Sequence, residues 1–288
     1  MGHDVHPPIT AVRAAVARAL EEDLTPLGDV TSALLPEGLE ARAAIVARAS
    51  GVLAGRACAA EVFAQVDGAI DVAWQLDDGD RVEARSAIAT LAGPLASVLT
   101  AERSALNFLG HLSGVATLTR RYVEAAAPLQ VWDTRKTTPG LRALEKAAVR
   151  AGGGANHRGN LSDWILLKDN HIALFGIDAA VKRARDRWPA RTVHVECDRI
   201  DQVREALAAG ADALLLDNMS PDDVTACVAA AAEHAATAGR RPLLEISGGI
   251  TLDTVGSYAR SGADLVSVGS LTNSAPVLDI GLDLEVTH

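Results

Sequence analysis

Between Asp133 and His171 the chain reads DTRKTTPGLRALEKAAVRAGGGANHRGNLSDWILLKDNH, a segment dense in cations, glycines and histidines. From Asp133 to Arg158 it holds six basic residues, Arg135, Lys136, Arg142, Lys146, Arg150 and Arg158, against two acids, Asp133 and Glu145, in a chain of formal net charge -10. An acidic protein that gathers cations in one place builds a local anion site, sized for a small polyanion and not for a nucleic acid. Guanidinium, ammonium and imidazole groups together suit a dicarboxylate or a pyrophosphate, because arginine binds such anions through two parallel hydrogen bonds. His157 alone reads as an ordinary structural histidine; beside Arg158 and after three glycines it reads as part of that site. Lys168, at the end of WILLK, also invites a Schiff base of the aldolase type. Such an enzyme has no need of Arg135, His157 and Arg158 nearby.

After about residue 128 the sequence takes on a βα rhythm. Six apolar runs, LQVWD, DWILLKD, TVHVEC, ADALLLDN, LLEISGG and ADLVSVGS, each end in polar residues or glycine and are followed by helix-like sequence. This predicts a parallel barrel or a doubly wound sheet, in which reacting groups gather at the C-terminal strand ends. Those ends carry Arg135 and Lys136, Lys168, Glu196, Asp217, Ser247 with Gly248 and Gly249, and Gly269. The last two glycine turns predict a phosphate cradle of backbone N–H groups, with ordinary βα turns as the alternative. Glu196 and Asp217 suit Mg²⁺ or a ribose contact; a structural ion network with Lys136 and Lys168 is the plainer reading.

Up to about residue 95 the pattern is mixed. Ile9, Val12, Val16 and Leu20 lie at helical spacing and predict an amphipathic surface helix. DVAWQLDDGDRVEARSAIATLAG is strand-like, and the turn at Asp77, Asp78, Gly79 and Asp80 reads as a hairpin signal. A long helical pattern follows from Ser97, with Leu99, Leu106, Leu109 and Leu112 on it and Arg103 embedded. The LDDGDRVEARSAIATLAGP stretch is similar to carrier-domain hammerheads. No lysine precedes Lys136, which removes a carrier role. Arg142, Lys146 and Arg150 lie four apart on a helix opened by Pro139 and Gly140, a spacing that usually marks a solvated face.

The 288 residues suffice for one large α/β domain or a barrel with a smaller partner, and 49% hydrophobic residues allow a sizeable core. Aromatics at 3% disfavour base-stacking platforms. Cys58, Cys197 and Cys227 are widely spaced and read as buried, reduced thiols. With no secretory pattern and no apolar run near ~18 residues, the expected location is cytoplasmic, without membrane or nucleic-acid partners.

Taken together, DTRKT, GGGANHR, LSDWILLKDNH, LLLDN, EISGGI and LVSVGSLTNS, with EEDLTPLGDVTS and TAERSALNFLGHLSGVATLT before them, strongly resemble the quinolinate phosphoribosyltransferase family over nearly the whole chain. The resemblance implies an α/β protein with an N-terminal open α/β sandwich (residues 1–115, joined by 275–288) and an incomplete TIM-like barrel (116–274). It implies transfer of phosphoribosyl from phosphoribosyl pyrophosphate (PRPP) to quinolinate with decarboxylation, in NAD biosynthesis. Quinolinate would sit among Arg135, His157, Arg158 and Lys168. Arg103 matches the family's arginine from the neighbouring subunit of a homodimer, or a larger assembly of dimers. PRPP would meet Lys136, with Glu196 and Asp217 near ribose and Mg²⁺, and its 5′-phosphate would rest on Ser247, Gly248, Gly249 and Gly269. The catalytic set would be Lys136, Lys168, Glu196 and Asp217. Two positions depart from the pattern: Asn273 replaces the family's histidine in LTHS, a hydrogen-bond donor without charge, and Ala147 stands where the family tends to have tyrosine. A related enzyme acting on nicotinate, a Schiff-base lyase centred on Lys168 and a non-enzymatic binder are the rival readings.

Overall fold

The structure, a computed structural model, describes residues 5–287. In chain order the strands are β1 (Glu40–Ala47), β2 (Gly51–Val52), β3 (Asp71–Trp74), β4 (Arg81–Val82), β5 (Ala87–Pro94), β6 (Gln130–Trp132), β7 (Ile165–Leu167), β8 (Val193–Cys197), β9 (Ala213–Asp217), β10 (Leu243–Ser247), β11 (Leu265–Ser267) and β12 (Ile280–Thr287). The α-helices are α1 (Ile9–Leu24), α2 (Arg56–Val66), α3 (Leu95–Ala126), α4 (Arg142–Ala151), α5 (Asp169–Phe175), α6 (Ile177–Arg187), α7 (Ile200–Ala208), α8 (Pro221–Ala238), α9 (Leu252–Val255) and α10 (Ser270–Asn273). The chain divides into two compact units, one of residues up to Arg120 with Lys136–Gly154 and the residues from Ser270, the other of Arg121–Arg135 and Ala155–Gly269. The boundary expected from the sequence at 115/116 lies inside α3.

The first unit holds an antiparallel sheet in the order β12-β1-β5-β3. Along β1, Ala41, Ala43 and Ile45 are buried while Glu40 and Arg42 are not, the two-residue period of a strand with one covered face. Helix α1 buries Val12, Ala15, Val16 and Leu20, spaced to form one stripe. Ile9, expected in that stripe, is 51% exposed, because it opens the helix. In α3 a Cβ on Gly114 would collide with the backbone of Pro276, and Leu278 N–H donates to the Gly110 carbonyl at 2.9 Å. Small residues at those two positions let the C-terminal segment lie against the helix.

Two expectations fail here for physical reasons. The Asp77–Asp80 turn forms, with the Asp80 N–H donating to the Asp77 carbonyl at 3.1 Å, but it is not a hairpin: β3 pairs with β5, and β4 with β2. Local turn chemistry does not choose a strand's partner. The Arg142, Lys146, Arg150 stripe is a solvated face only in part: Arg142 and Arg150 are half-buried, while Lys146 is only 6% exposed, and the helix begins at Arg142, after Pro139 and Gly140. Gly152 ends α4, where a Cβ would lie 2.6 Å from the Thr119 Cβ.

The second unit is built on a wholly parallel sheet in the order β6-β11-β10-β9-β8-β7. All six runs singled out in the sequence form its strands. Ala213 to Leu216 of β9 are all buried, as in a parallel strand covered on both faces, and each fully buried leucine contributes about 1.5–3 kcal/mol. Flat, five strand spacings would separate the two edges by about 24 Å. Instead the rings of Trp132 on β6 and Trp164, which directly precedes β7, lie 6.5 Å apart. The sheet therefore curls into a TIM-like barrel left open between β6 and β7, and Ala155 extends the β6 edge through an isolated parallel bridge to Trp132.

Candidate active site

The polar residues of the second unit occupy one end of this barrel because its strands are parallel. β7 delivers Lys168, whose Nζ forms an ion pair with Glu196 Oε2 of β8. The His171 ring turns back to accept the Lys168 N–H at 3.1 Å, so the KDNH turn is self-capped. β9 ends in Asp217, which accepts a hydrogen bond from Asn218 Nδ2 at 2.7 Å. Asn218 adopts a positive φ of 56° and donates its N–H to the Ser247 carbonyl at 3.0 Å. Gly248 and Gly249 follow at φ 86° and 59°. A Cβ on Gly248 would stand 2.7 Å from the Asn218 nitrogen, so glycine is required there by both space and conformation. Ser267 Oγ donates to Ser247 Oγ at 3.1 Å, joining the last two strand ends beside Gly269.

The acid-binding candidates are anchored by Asp133, which in the sequence stands out only as one of two acids among six cations. Fully buried after β6, it accepts the His157 N–H at 2.9 Å and Asn156 Nδ2 at 2.7 Å. This ties the NHR segment to the stretch after β6 that carries Arg135. Arg158 is 8% exposed, and its pKa is lowered first by burial and next by the neighbouring Arg135 guanidinium. A buried cation beside a like charge is stabilised by a nearby anion.

Deeper in the barrel His157, His194 and Glu245 form a buried group whose ligand-capable atoms lie within 4.8 Å of one another. His157 Nε2 stands 3.3 Å from Glu245 Oε2. Burial lowers the His194 pKa to about 4; its ring stacks on Trp164 at 5.2 Å. His194 and Glu245 are not among the residues singled out in the sequence, although each interrupts an apolar strand two residues before one that is, Glu196 and Ser247. The period of two puts each pair on the same face. Asn218 is one letter of the LLLDN run; nothing local signals its positive φ.

The remaining candidates belong to the first unit. Lys136 is exposed, and its carbonyl accepts Thr272 Oγ1 at 2.8 Å. Two residues on, the Thr138 N–H donates to Glu145 Oε2 at 3.0 Å, and His111 Nε2 meets the other oxygen of this fully buried carboxylate at 2.8 Å. The Lys136 loop is thus pinned on both sides. Asn273, exposed on α10, accepts from Ser274 Oγ at 2.7 Å. Arg103 projects from α3 with a largely exposed side chain, 3.8 Å from Glu102.

With this geometry in view, residues 29–113 match the N-terminal domain and residues 115–283 the C-terminal domain of quinolinate phosphoribosyl transferase. The chain belongs to the quinolinate phosphoribosyltransferase family. It is 40% identical over 281 residues to the nicotinate-nucleotide pyrophosphorylase [carboxylating] of Mycobacterium leprae, covering 95% of this chain and 97% of that one. It is also 40% identical over 265 residues to the probable nicotinate-nucleotide pyrophosphorylase [carboxylating] of Bacillus subtilis, covering 91% and 89%. The crystal structure of NadC from Streptococcus pyogenes superposes with a TM-score of 0.92 at 38% identity, over 98% of this chain and 99% of that one. This phosphoribosyltransferase has the antiparallel-sheet unit and the parallel barrel expected from the sequence.

Glu196 and Asp217 offer hard oxygen donors, each already with one protein partner. Two such carboxylates fit a cation that brings further oxygens with its ligand, as Mg²⁺ does with a pyrophosphate, and not one that needs a complete protein cage. Among the described residues no helix is long and apolar enough to cross a membrane.

Proposed function

We propose that this family member transfers the phosphoribosyl group of PRPP to quinolinate with loss of the 2-carboxylate, giving nicotinate mononucleotide, CO₂ and pyrophosphate in cytoplasmic NAD biosynthesis. The observation that carries the reading is the buried Arg158 guanidinium next to His157, on the segment that Asp133 anchors, its pKa lowered first by burial and next by the neighbouring Arg135 charge. A cation pair of this kind is stabilised by a planar dianion, and quinolinate supplies two carboxylates. Arg135, His157, Arg158 and Lys168 hold the acid, completed by Arg103 of a second copy in a homodimer. Lys136 meets the pyrophosphate, and Asp217 and Glu196 hold the ribose hydroxyls. Ser247, Gly248, Gly249 and Gly269 receive the 5′-phosphate on their backbone N–H groups, with Asn273 as an uncharged donor.

The chemistry needs charge management and no side-chain nucleophile. As the C1–O bond to pyrophosphate breaks, its electron pair leaves with pyrophosphate, C1 gains cationic character, and the pyridine nitrogen forms the new bond. The cations of the site absorb the leaving charge while a carboxylate faces C1. Glu196 and Asp217 would hold Mg²⁺, which would supply further neutralisation of the leaving group. The quaternised ring then takes up the pair of the C2–carboxylate bond, CO₂ departs and C2 is protonated.

Arg158→Leu tests the assignment. It is expected to raise the KM for quinolinate by about 10²-fold, as for loss of a buried charge partner, and to leave the KM for PRPP near its original value. Equal losses for both substrates would place Arg158 outside the acid site.

A further inference from the structure

Glu245 is the carboxylate that the mechanism leaves unused. It is 1% exposed in the middle of β10, where LLEIS needs only an apolar side chain to fold. Burying a carboxylate costs several kcal/mol unless opposite charge and hydrogen-bond donors surround it. Its surroundings are therefore informative. His157 Nε2 lies 3.3 Å from one oxygen, the carboxylate acts electrostatically on Arg158, and the Trp164 ring stands edge-on to His157 at 4.9 Å. On the far side of the same residue, the His157 N–H is fixed by Asp133 at 2.9 Å.

We propose that Glu245 is a positioning residue for acid recognition: its charge, 3.3 Å from Nε2 of His157, draws the imidazole proton to that nitrogen and sets the ring's tilt, and with them the presentation of the His157–Arg158 pair to the substrate carboxylates. The proposal rests on the reading that this pair holds quinolinate. His157 is held at its backbone by Asp133 and on its ring edges by Trp132 and Trp164, while Glu245 Oε2 approaches Nε2 to 3.3 Å without hydrogen-bond alignment. Of these groups Glu245 is the one that brings a charge to a ring nitrogen. A carboxylate behind an imidazole sets which nitrogen carries the proton and where the ring points. The Glu245 charge also acts on Arg158, so that guanidinium keeps a counter-charge when no substrate is bound.

The test compares Glu245→Gln, which keeps the shape and one acceptor, with Glu245→Leu, which removes both. Imidazole ¹⁵N and ¹H resonances are recorded on the ligand-free protein, with His157 assigned from His157→Gln. Glu245→Leu should shift the His157 Nε2 signal, with Glu245→Gln shifting it less. In steady-state assays Glu245→Leu should raise the quinolinate KM by tenfold or more, with the PRPP KM changed less than twofold and partial recovery in Glu245→Gln. The double variant His157→Gln/Glu245→Leu should be no weaker for quinolinate than His157→Gln alone. A His157 signal indifferent to residue 245, additive losses in the double variant, or equal effects on both substrates would each overturn the proposal. So would one equivalent of zinc in the purified protein, held by His157, His194 and Glu245 and removed by chelator. If the unaltered enzyme fails to turn over quinolinate, the acid reading falls and the role in recognition falls with it. The resonance shift then still decides whether Glu245 holds His157.

Discussion

At the level of single residues, Lys168 keeps a half-exposed side chain in its ion pair with Glu196, which makes this candidate accessible to mutation. Lys168→Ala should lower kcat/KM for quinolinate by about 10²–10³-fold, the loss seen when one preorganised charge-stabilising group is removed. Circular dichroism should be unchanged, because the side chain is 46% exposed. Retained activity would remove Lys168 from the site. The thiols give a second residue-scale expectation. Burial raises the pKa of Cys58 and of Cys197 to about 12, so at pH 8 thiol reagents should label neither until the protein is unfolded with denaturant. Rapid labelling of the native protein would show that these positions open. Lys168, Glu196, Asp217 and Ser247 were legible as strand-end candidates because each closes an apolar run; the residues packed behind them were not. Asp133, Glu245 and His194 are polar side chains whose partners come from distant parts of the sequence, and no local spacing announces such a partner.

At the level of elements, the loop after α1 shows how one side chain fixes a segment. Asp29 accepts hydrogen bonds from the Thr31 N–H at 3.0 Å, the Ser32 N–H at 2.9 Å, Ser32 Oγ at 2.6 Å and Thr100 Oγ1 of α3 at 2.9 Å. The Ser32 bonds above all lower its pKa from 3.8 to about 2. A carboxylate whose folded pKa is depressed contributes stability that is complete above its unfolded pKa and is lost as pH falls through the folded value. Asp29→Asn should therefore destabilise the protein at pH 7, by roughly 1 kcal/mol as for loss of a capping residue. The difference from the parent should shrink as pH is lowered from about 4 toward 2. Urea titrations across that range would check it, and a constant difference would contradict the assignment. Gly114→Ala is a packing test: its Cβ would meet the Pro276 backbone, so a loss of about 1–3 kcal/mol is expected. Helix and strand existence was readable from periodicity. The pairing of β4 with β2, and the burial of Lys146, depend on what packs against an element, which its own period does not encode.

At the level of the whole molecule, the candidate site residues are distributed over both compact units, with Lys136, Arg103 and Asn273 in one and Arg135, His157, Arg158 and Lys168 in the other. Arg103, with its side chain 68% exposed, is assigned to a neighbouring copy's site. Arg103→Ala and Lys136→Ala should each be inactive alone, and mixing them should restore activity approaching a quarter of the parent, since random pairing leaves some sites with both residues intact. No recovery after subunit exchange would contradict a shared site. The family and the overall architecture were legible because DTRKT, GGGANHR and the six strand runs keep their order. How far each helix buries its charged residues was not.

The central claim is that the paired guanidiniums select a dianionic acid. It is tested most directly by incubating the enzyme with PRPP, Mg²⁺ and either quinolinate or nicotinate, and following nicotinate mononucleotide by mass together with released CO₂. The mononucleotide and stoichiometric CO₂ are expected from quinolinate, with nicotinate inert; mononucleotide formed from nicotinate alone would contradict the claim.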